Sequence, residues 1–132
     1  MSYLLDTHVL VRWVNGGGGL SRRQRAVLDR VSEGPPLAVA DISLWEVAML
    51  VSLGRLRLAL PLREWLERAV APPRVRLVPI TPTVAAEVAS LPESFHRDPA
   101  DRILVATARI LGAKLLTSDE RIQHARLVPT IG

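Results

Sequence analysis

Tyr3-Leu4-Leu5-Asp6-Thr7-His8-Val9-Leu10-Val11-Arg12-Trp13-Val14 decides the fold class. Tyr3 to Leu5 is an apolar run of strand length that stops at Asp6, and the apolar spacing from Thr7 to Val14 suits a helix leaving that strand. The pattern recurs after Gly34-Pro35-Pro36, where Leu37 to Ala40 is a second short strand and Ser43 opens a helix over Leu44 to Leu53, closed by Gly54. Between these units Asn15 and Gly16 to Gly19 break the pattern. Ser21 then caps a basic helix reaching Arg30 that carries Ala26, Val27 and Val31 inward. Pro61 starts a helix around Trp65, Leu66 and Val70, Val75 to Ile80 is a strand, and Pro82 to Leu91 and Pro99 to Leu111 are helices. Gly112 ends the longest of them, Lys114 to Thr117 is a strand, Ser118-Asp119 turns into a short helix, and Leu127-Val128 is a last edge strand. Alternation without repeat or linker predicts one domain over residues 1–132, a three-layer α/β/α sandwich around a mostly parallel sheet.

Composition narrows the function classes. A chain that is 48% apolar and 23% charged can build a core, and no apolar run approaches the ~18 residues needed to cross a bilayer, so no membrane partner is expected. The absence of cysteine excludes a disulfide scaffold, a zinc knuckle and a thiol nucleophile. Together with a start lacking a basic and then apolar leader, it makes the cytoplasm the expected compartment. Seventeen bases against thirteen acids give +4, and every base but Lys114 is arginine, a composition that leans toward a polyanionic partner. The glycine run cannot be a phosphate-cradling Walker loop, because Leu20-Ser21-Arg22 stands where Gly-Lys-Ser/Thr is required.

In an open parallel sheet, ligands bind beyond the carboxyl ends of the strands. Four acids fall there: Asp6 after the first strand, Glu46 in the helix after the second, Asp101 in the first turn of the long helix, and Asp119 after Thr117. Taken singly each has a structural explanation. Ser43-Leu44-Trp45-Glu46 fits a capping box, and Asp98-Pro99-Ala100-Asp101 places an N-cap, a proline at N1 and an acid at N3. Jointly they pose an electrostatic problem, since Glu46 is flanked by Leu44, Trp45, Val47, Ala48, Met49 and Leu50, and Asp6 follows two leucines at a sheet centre. Burial and like charge raise such carboxyl pKa values, and a hard divalent cation with oxygen preference, Mg²⁺ or Mn²⁺, relieves both.

These segments resemble the PIN-domain family and, within it, the VapC-type toxin ribonucleases of bacterial type II toxin–antitoxin pairs. Leu4-Leu5-Asp6-Thr7-His8 is similar to the family's opening strand, and Ile42-Ser43-Leu44-Trp45-Glu46-Val47-Ala48 with Gly54-Arg55-Leu56 to its second acidic motif. Leu91-Pro92 with His96-Arg97-Asp98-Pro99-Ala100-Asp101-Arg102 resembles the third motif, and Thr117-Ser118-Asp119 the fourth. The resemblance implies a PIN fold with Asp6, Glu46, Asp101 and Asp119 as catalytic and metal-binding acids around Mg²⁺ or Mn²⁺, cutting RNA endonucleolytically. It implies Asp6 and Asp101 as principal ligands, Glu46 as a ligand or the acid that orients water, and Asp119 as a ligand for a weaker ion. Thr7 and Thr117 are expected to hold those carboxylates by hydrogen bonds, while Asp98 is either the helix cap or an outer carboxylate. A homodimer and a VapB-like antitoxin are the implied partners. The helix face bearing Trp45, Met49 and Leu53 could line the antitoxin's groove, but it reads first as ordinary core, as do Trp13 and Trp65. Phe95 alone among the aromatic residues is expected in a loop, so base stacking is poorly provided for.

Other chemistries fit less well. His8, His96 and His124 lack zincin spacing, position 8 is not the second aspartate of a haloacid-dehalogenase motif, and neither G-x-S-x-G nor G-x-G-x-x-G occurs. The remaining alternative is a non-catalytic PIN-like module that binds RNA or protein.

Overall fold

A computed structural model describes residues 2–132. The elements run β1 (Tyr3–Leu5), α1 (Thr7–Val14), α2 (Arg22–Leu28), β2 (Leu37–Ala40), α3 (Ile42–Ser52), α4 (Leu62–Ala69), β3 (Val75–Val78), α5 (Pro82–Ser90), α6 (Pro99–Leu111), β4 (Lys114–Leu116), α7 (Glu120–Ala125) and β5 (Thr130–Ile131). The strands form one sheet in the order β3-β2-β1-β4-β5, and every pairing is parallel. Because side chains alternate along a strand, Leu4, Ala38 and Leu115 join one core while Leu5, Val39 and Leu116 join the other. The first core packs Leu91 at the end of α5, Leu104 of α6 and Ile122 of α7; the second packs Val9 and Leu10 of α1, Leu28 of α2 and Trp65 of α4. The fold is therefore the expected three layers around a parallel sheet, with β1 at its centre.

Several local expectations are corrected. The last strand is Thr130–Ile131 rather than Leu127-Val128. Arg126 takes the left-handed conformation that ends α7, Val128 turns into the core, and Pro129, which has no amide to donate, stands just ahead of the ladder. The basic helix is shorter, with a 3₁₀ turn over Val31–Glu33 behind it. Its buried residues are Gln24 and Leu28, Ala26 is exposed, and Val27 and Val31 are partly buried. The reason lies in Ser21-Arg22-Arg23-Gln24: Ser21 Oγ accepts from the Gln24 amide and Gln24 Oε1 from the Ser21 amide, closing a capping box. The Gln24 amide group, fully buried, then donates to Ser118 Oγ and to the Ile131 carbonyl, so no polar atom of it is left unmet.

Candidate metal centre

Each acid reaches the carboxyl edge of the sheet for a traceable reason. Asp6 follows β1 and N-caps α1, accepting the Val9 amide at 2.7 Å, which fixes one oxygen and leaves the other toward the cleft. α6 must finish at the amino edge to enter β4, so its first turn, with Asp101, lies at the carboxyl edge. Asp119 follows β4 and caps α7 through the Arg121 amide at 2.8 Å. Asp6, Thr7, His8, Arg12, Glu46, Asp98, Asp101, Asp119 and Arg121 share one open cleft of about 320 Å³.

The second acidic motif departs from its expected local role. α3 begins at Ile42, two residues early, so Ser43 sits inside the first turn and makes no cap. Ser43 is fully buried, 2.9 Å from the Thr7 hydroxyl, and Thr7 also hydrogen-bonds Glu46 Oε1. One hydroxyl carries one proton, so Thr7 donates to Glu46 and takes the proton of its second bond from Ser43. Glu46 is thus turned away from its own helix end and toward the cleft, and the capping explanation of this acid falls. Trp45 is corrected too. It is 55% exposed, with Met49 at 38% and Leu53 at 58%, because α3 presents Ser43 and Val47 to the protein and leaves this face outward. Trp65 is core as expected, Trp13 is partly buried beneath the Arg74 guanidinium, and Phe95 lies in its loop but is buried.

Asp98 caps α6 by accepting the Asp101 amide at 3.2 Å and is itself exposed at the cleft rim. Thr117 is fully buried; its hydroxyl accepts the Asp119 amide at 3.1 Å, and its proximity to Asp6 pulls that carboxyl down against the effect of burial. His96, set aside on sequence for lacking zincin spacing, places its Nε2 2.7 Å from Asp101 Oδ2 with both side chains largely buried. Its position five residues before Asp101, inside the third motif, was the available signal. His96, Asp101 and Asp119 bring three potential ligand atoms within 4.8 Å of one another.

Electrostatics separates the acids. Asp6, Glu46 and Asp101 are all raised above the ordinary carboxyl range, in each case chiefly by burial, with Asp101 adding to the first two by repulsion and Asp98 to the last two. Hydrogen bonds from Thr117, Thr7 and His96 respectively only partly offset this. Asp119 goes the other way: burial pushes it up, but the Arg121 side chain and the amides of α7 outweigh that and hold it low. Among the described residues the one arginine that pairs with these acids is Arg121, 3.3 Å from Asp119 and 3.8 Å from Asp101. The cleft therefore holds more buried negative charge than its own cations neutralise, on oxygen donors with the His96 imidazole beside Asp101. That donor set fits a divalent cation.

The sequence profile of the PIN domain matches residues 3–127. The chain belongs to the PIN-domain family. This PIN domain is 42% identical over 123 residues to Ribonuclease VapC22 of Mycobacterium tuberculosis, covering 93% of this chain and 91% of that one. Solved structures share its fold. VapBC2 from Rickettsia felis, bound to a DNA fragment from its promoter, superposes with a TM-score of 0.73 at 14% identity, covering 99% and 98% of the two chains. FitAcB from Neisseria gonorrhoeae gives 0.69 at 23% identity, covering 98% and 96%.

Proposed function

We propose that this PIN domain is a metal-dependent endoribonuclease, the toxin of a VapBC-type pair, which hydrolyses phosphodiester bonds in RNA at the four-acid cleft. The observation that carries the reading is the convergence of Asp6, Glu46, Asp101 and Asp119, from four segments of the chain, on one cleft. Similarity to a ribonuclease supports the substrate class, and residues 1–132 act as one domain on this reading. Asp6 and Asp101 are the principal residues to hold Mg²⁺ or Mn²⁺, with Glu46 and Asp119 contributing and His96 keeping Asp101 in place. The bound cation supplies the positive charge that lets an anionic backbone approach and that favours attack of water on phosphorus. Glu46, raised by burial yet gripped by Thr7, is placed to orient the attacking water and receive its proton. Asp98 keeps the first turn of α6, and hence Asp101, in register.

Two partners belong to this reading. The Trp45, Met49 and Leu53 stripe runs along the same helix as Glu46 and is apolar and exposed, the surface a VapB-like antitoxin segment would cover. A homodimer in the cytoplasm completes it; no helix among the described residues is long and apolar enough to cross a membrane. The test is cleavage of a mixed RNA pool with Mn²⁺, with EDTA, and by the double variant Asp6→Asn/Asp101→Asn. Metal-dependent fragments from wild type alone are expected, whereas equal cutting by the double variant, or RNA retained but never cut, refutes the assignment in favour of another nuclease or of a binding module.

A further inference from the structure

Arg12 in the cleft and the glycine run that packs against it are two features that the acids leave without a role. Arg12 stands in the last turn of α1, lines the cleft, and is partly buried, yet among the described residues its guanidinium has neither a hydrogen-bond nor an ion-pair partner. The other arginine that lines the cleft, Arg121, is engaged with Asp119.

Residues 16–19 explain how it is held. Gly16, Gly17 and Gly19 all take positive φ, which side chains rarely adopt, and the Gly17 amide bonds the Arg12 carbonyl at 2.6 Å. Arg25 of α2 clamps the turn from behind by donating to the Gly17 carbonyl at 2.6 Å. In this conformation Gly19 lies flat against the Arg12 side chain, so close that a Cβ there would stand 3.3 Å from Cδ and Nε. The turn is a shelf under an arginine whose charge faces the acid cleft unspent.

We infer that Arg12, seated on this glycine shelf, anchors a backbone phosphate of the RNA strand next to the one that is cut. The inference rests on the ribonuclease reading above and adds to it the residue that grips the strand. A planar guanidinium with all its donors free suits a phosphate's paired oxygens, and its position on α1 puts it to the side of the acids rather than among them. The competing role for a last-turn arginine, easing the negative end of the α1 dipole, involves no substrate and would appear only as stability.

Steady-state cleavage of a fluorogenic single-stranded oligoribonucleotide by the full chain, over a series of salt concentrations, separates these. Arg12→Gln should raise KM roughly tenfold with kcat nearly unchanged, since a flanking phosphate is held equally in ground and transition states. It should also flatten the dependence of log KM on log salt by about 0.7, the share of one phosphate contact on a single strand. Arg12→Lys should keep the slope and lose part of the affinity, and Gly19→Ala, which displaces an unaltered arginine, should raise KM while Arg12 remains. Thermal stabilisation by Mn²⁺ should be the same in Arg12→Gln as in wild type, which shows the acids and the fold intact. Unchanged KM and salt slope in an Arg12→Gln enzyme that still cleaves overturns this inference and leaves the ribonuclease reading standing; no cleavage by wild type overturns both.

Discussion

Replacing Asp101 by asparagine should separate the site's metal function from its structural cost. If Mn²⁺ binds the acids, a concentration tenfold above Kd stabilises the folded protein by about 1.4 kcal/mol. For 132 residues the unfolding entropy is about 0.28 kcal/mol per kelvin, so the midpoint should rise by about 5 °C over that in EDTA. Loss of a ligand that weakens binding tenfold leaves about 0.4 kcal/mol, or about 1.5 °C, and a hundredfold loss leaves no measurable shift. In EDTA the sign should reverse. Asp101 is raised by burial and by Asp98, so its charge is a burden in the metal-free fold, and asparagine keeps the shape beside His96 while removing that charge. Differential scanning fluorimetry of both proteins with Mn²⁺ and with EDTA reads all four midpoints. An Asp101→Asn protein that is less stable in EDTA and still gains about 5 °C from Mn²⁺ would refute the placement of Asp101 in a metal site.

Other consequences follow from single contacts. Asp6→Asn keeps the N-cap of α1 but removes a buried charge raised above its ordinary 3.8, so the metal-free variant should be the more stable at pH 7. A group raised in the fold contributes stability that is present below its unfolded pKa and lost as pH climbs through the folded one. Metal-free wild type should therefore lose stability relative to Asp6→Asn from about pH 4 upward, as parallel urea titrations across pH would show. Thr7→Val is nearly isosteric but deprives Glu46 of its donor and leaves buried Ser43 without a partner; it should destabilise by about 1–3 kcal/mol and lower kcat with little change in KM, in unfolding and cleavage assays. Trp45→Ser/Met49→Ser removes exposed apolar surface without opening the core, so stability should hold within about 0.5 kcal/mol while affinity for a co-expressed antitoxin, measured by calorimetry, should fall at least tenfold.

The fold was legible because its deciding signals are local. Tyr3-Leu4-Leu5 and Leu37-Ala38-Val39-Ala40 are apolar on both sides of the pleat, as buried parallel strands must be, and glycines or prolines mark the breaks. The errors arose where tertiary partners overrode local pattern. Ser43-Leu44-Trp45-Glu46 and Ser21-Arg22-Arg23-Gln24 carry the same capping signature, yet only the second forms the box. Ser43 is claimed by Thr7, thirty-six residues away in sequence, and no pattern within α3 records that claim. Trp45 is illegible in the sequence for the same reason: a helix apolar on all sides names no outward face until its neighbours are placed. The positions of the four acids were readable, whereas the contact of His96 with Asp101 needed the course of the loop before α6.

Asp101 is the most informative acid because two groupings of the cleft meet on it, and they point in different directions. By distance, it clusters with His96 and Asp119. By charge, it belongs with Asp6 and Glu46, which are raised as it is, while Asp119 is already held low by Arg121. A first cation gains most where charge is least compensated, which is the Asp6, Glu46 and Asp101 side, and on the Asp119 side it would have to displace the Arg121 guanidinium from both carboxylates. Removing Arg121 as glutamine should then strengthen Mn²⁺ binding in the absence of RNA, and do so less in an Asp119→Asn background where nothing remains to compete for. Equal tightening in both backgrounds would mean that Arg121 acts by long-range repulsion of the ion and not by holding its place, and titration of the four proteins by calorimetry decides between them.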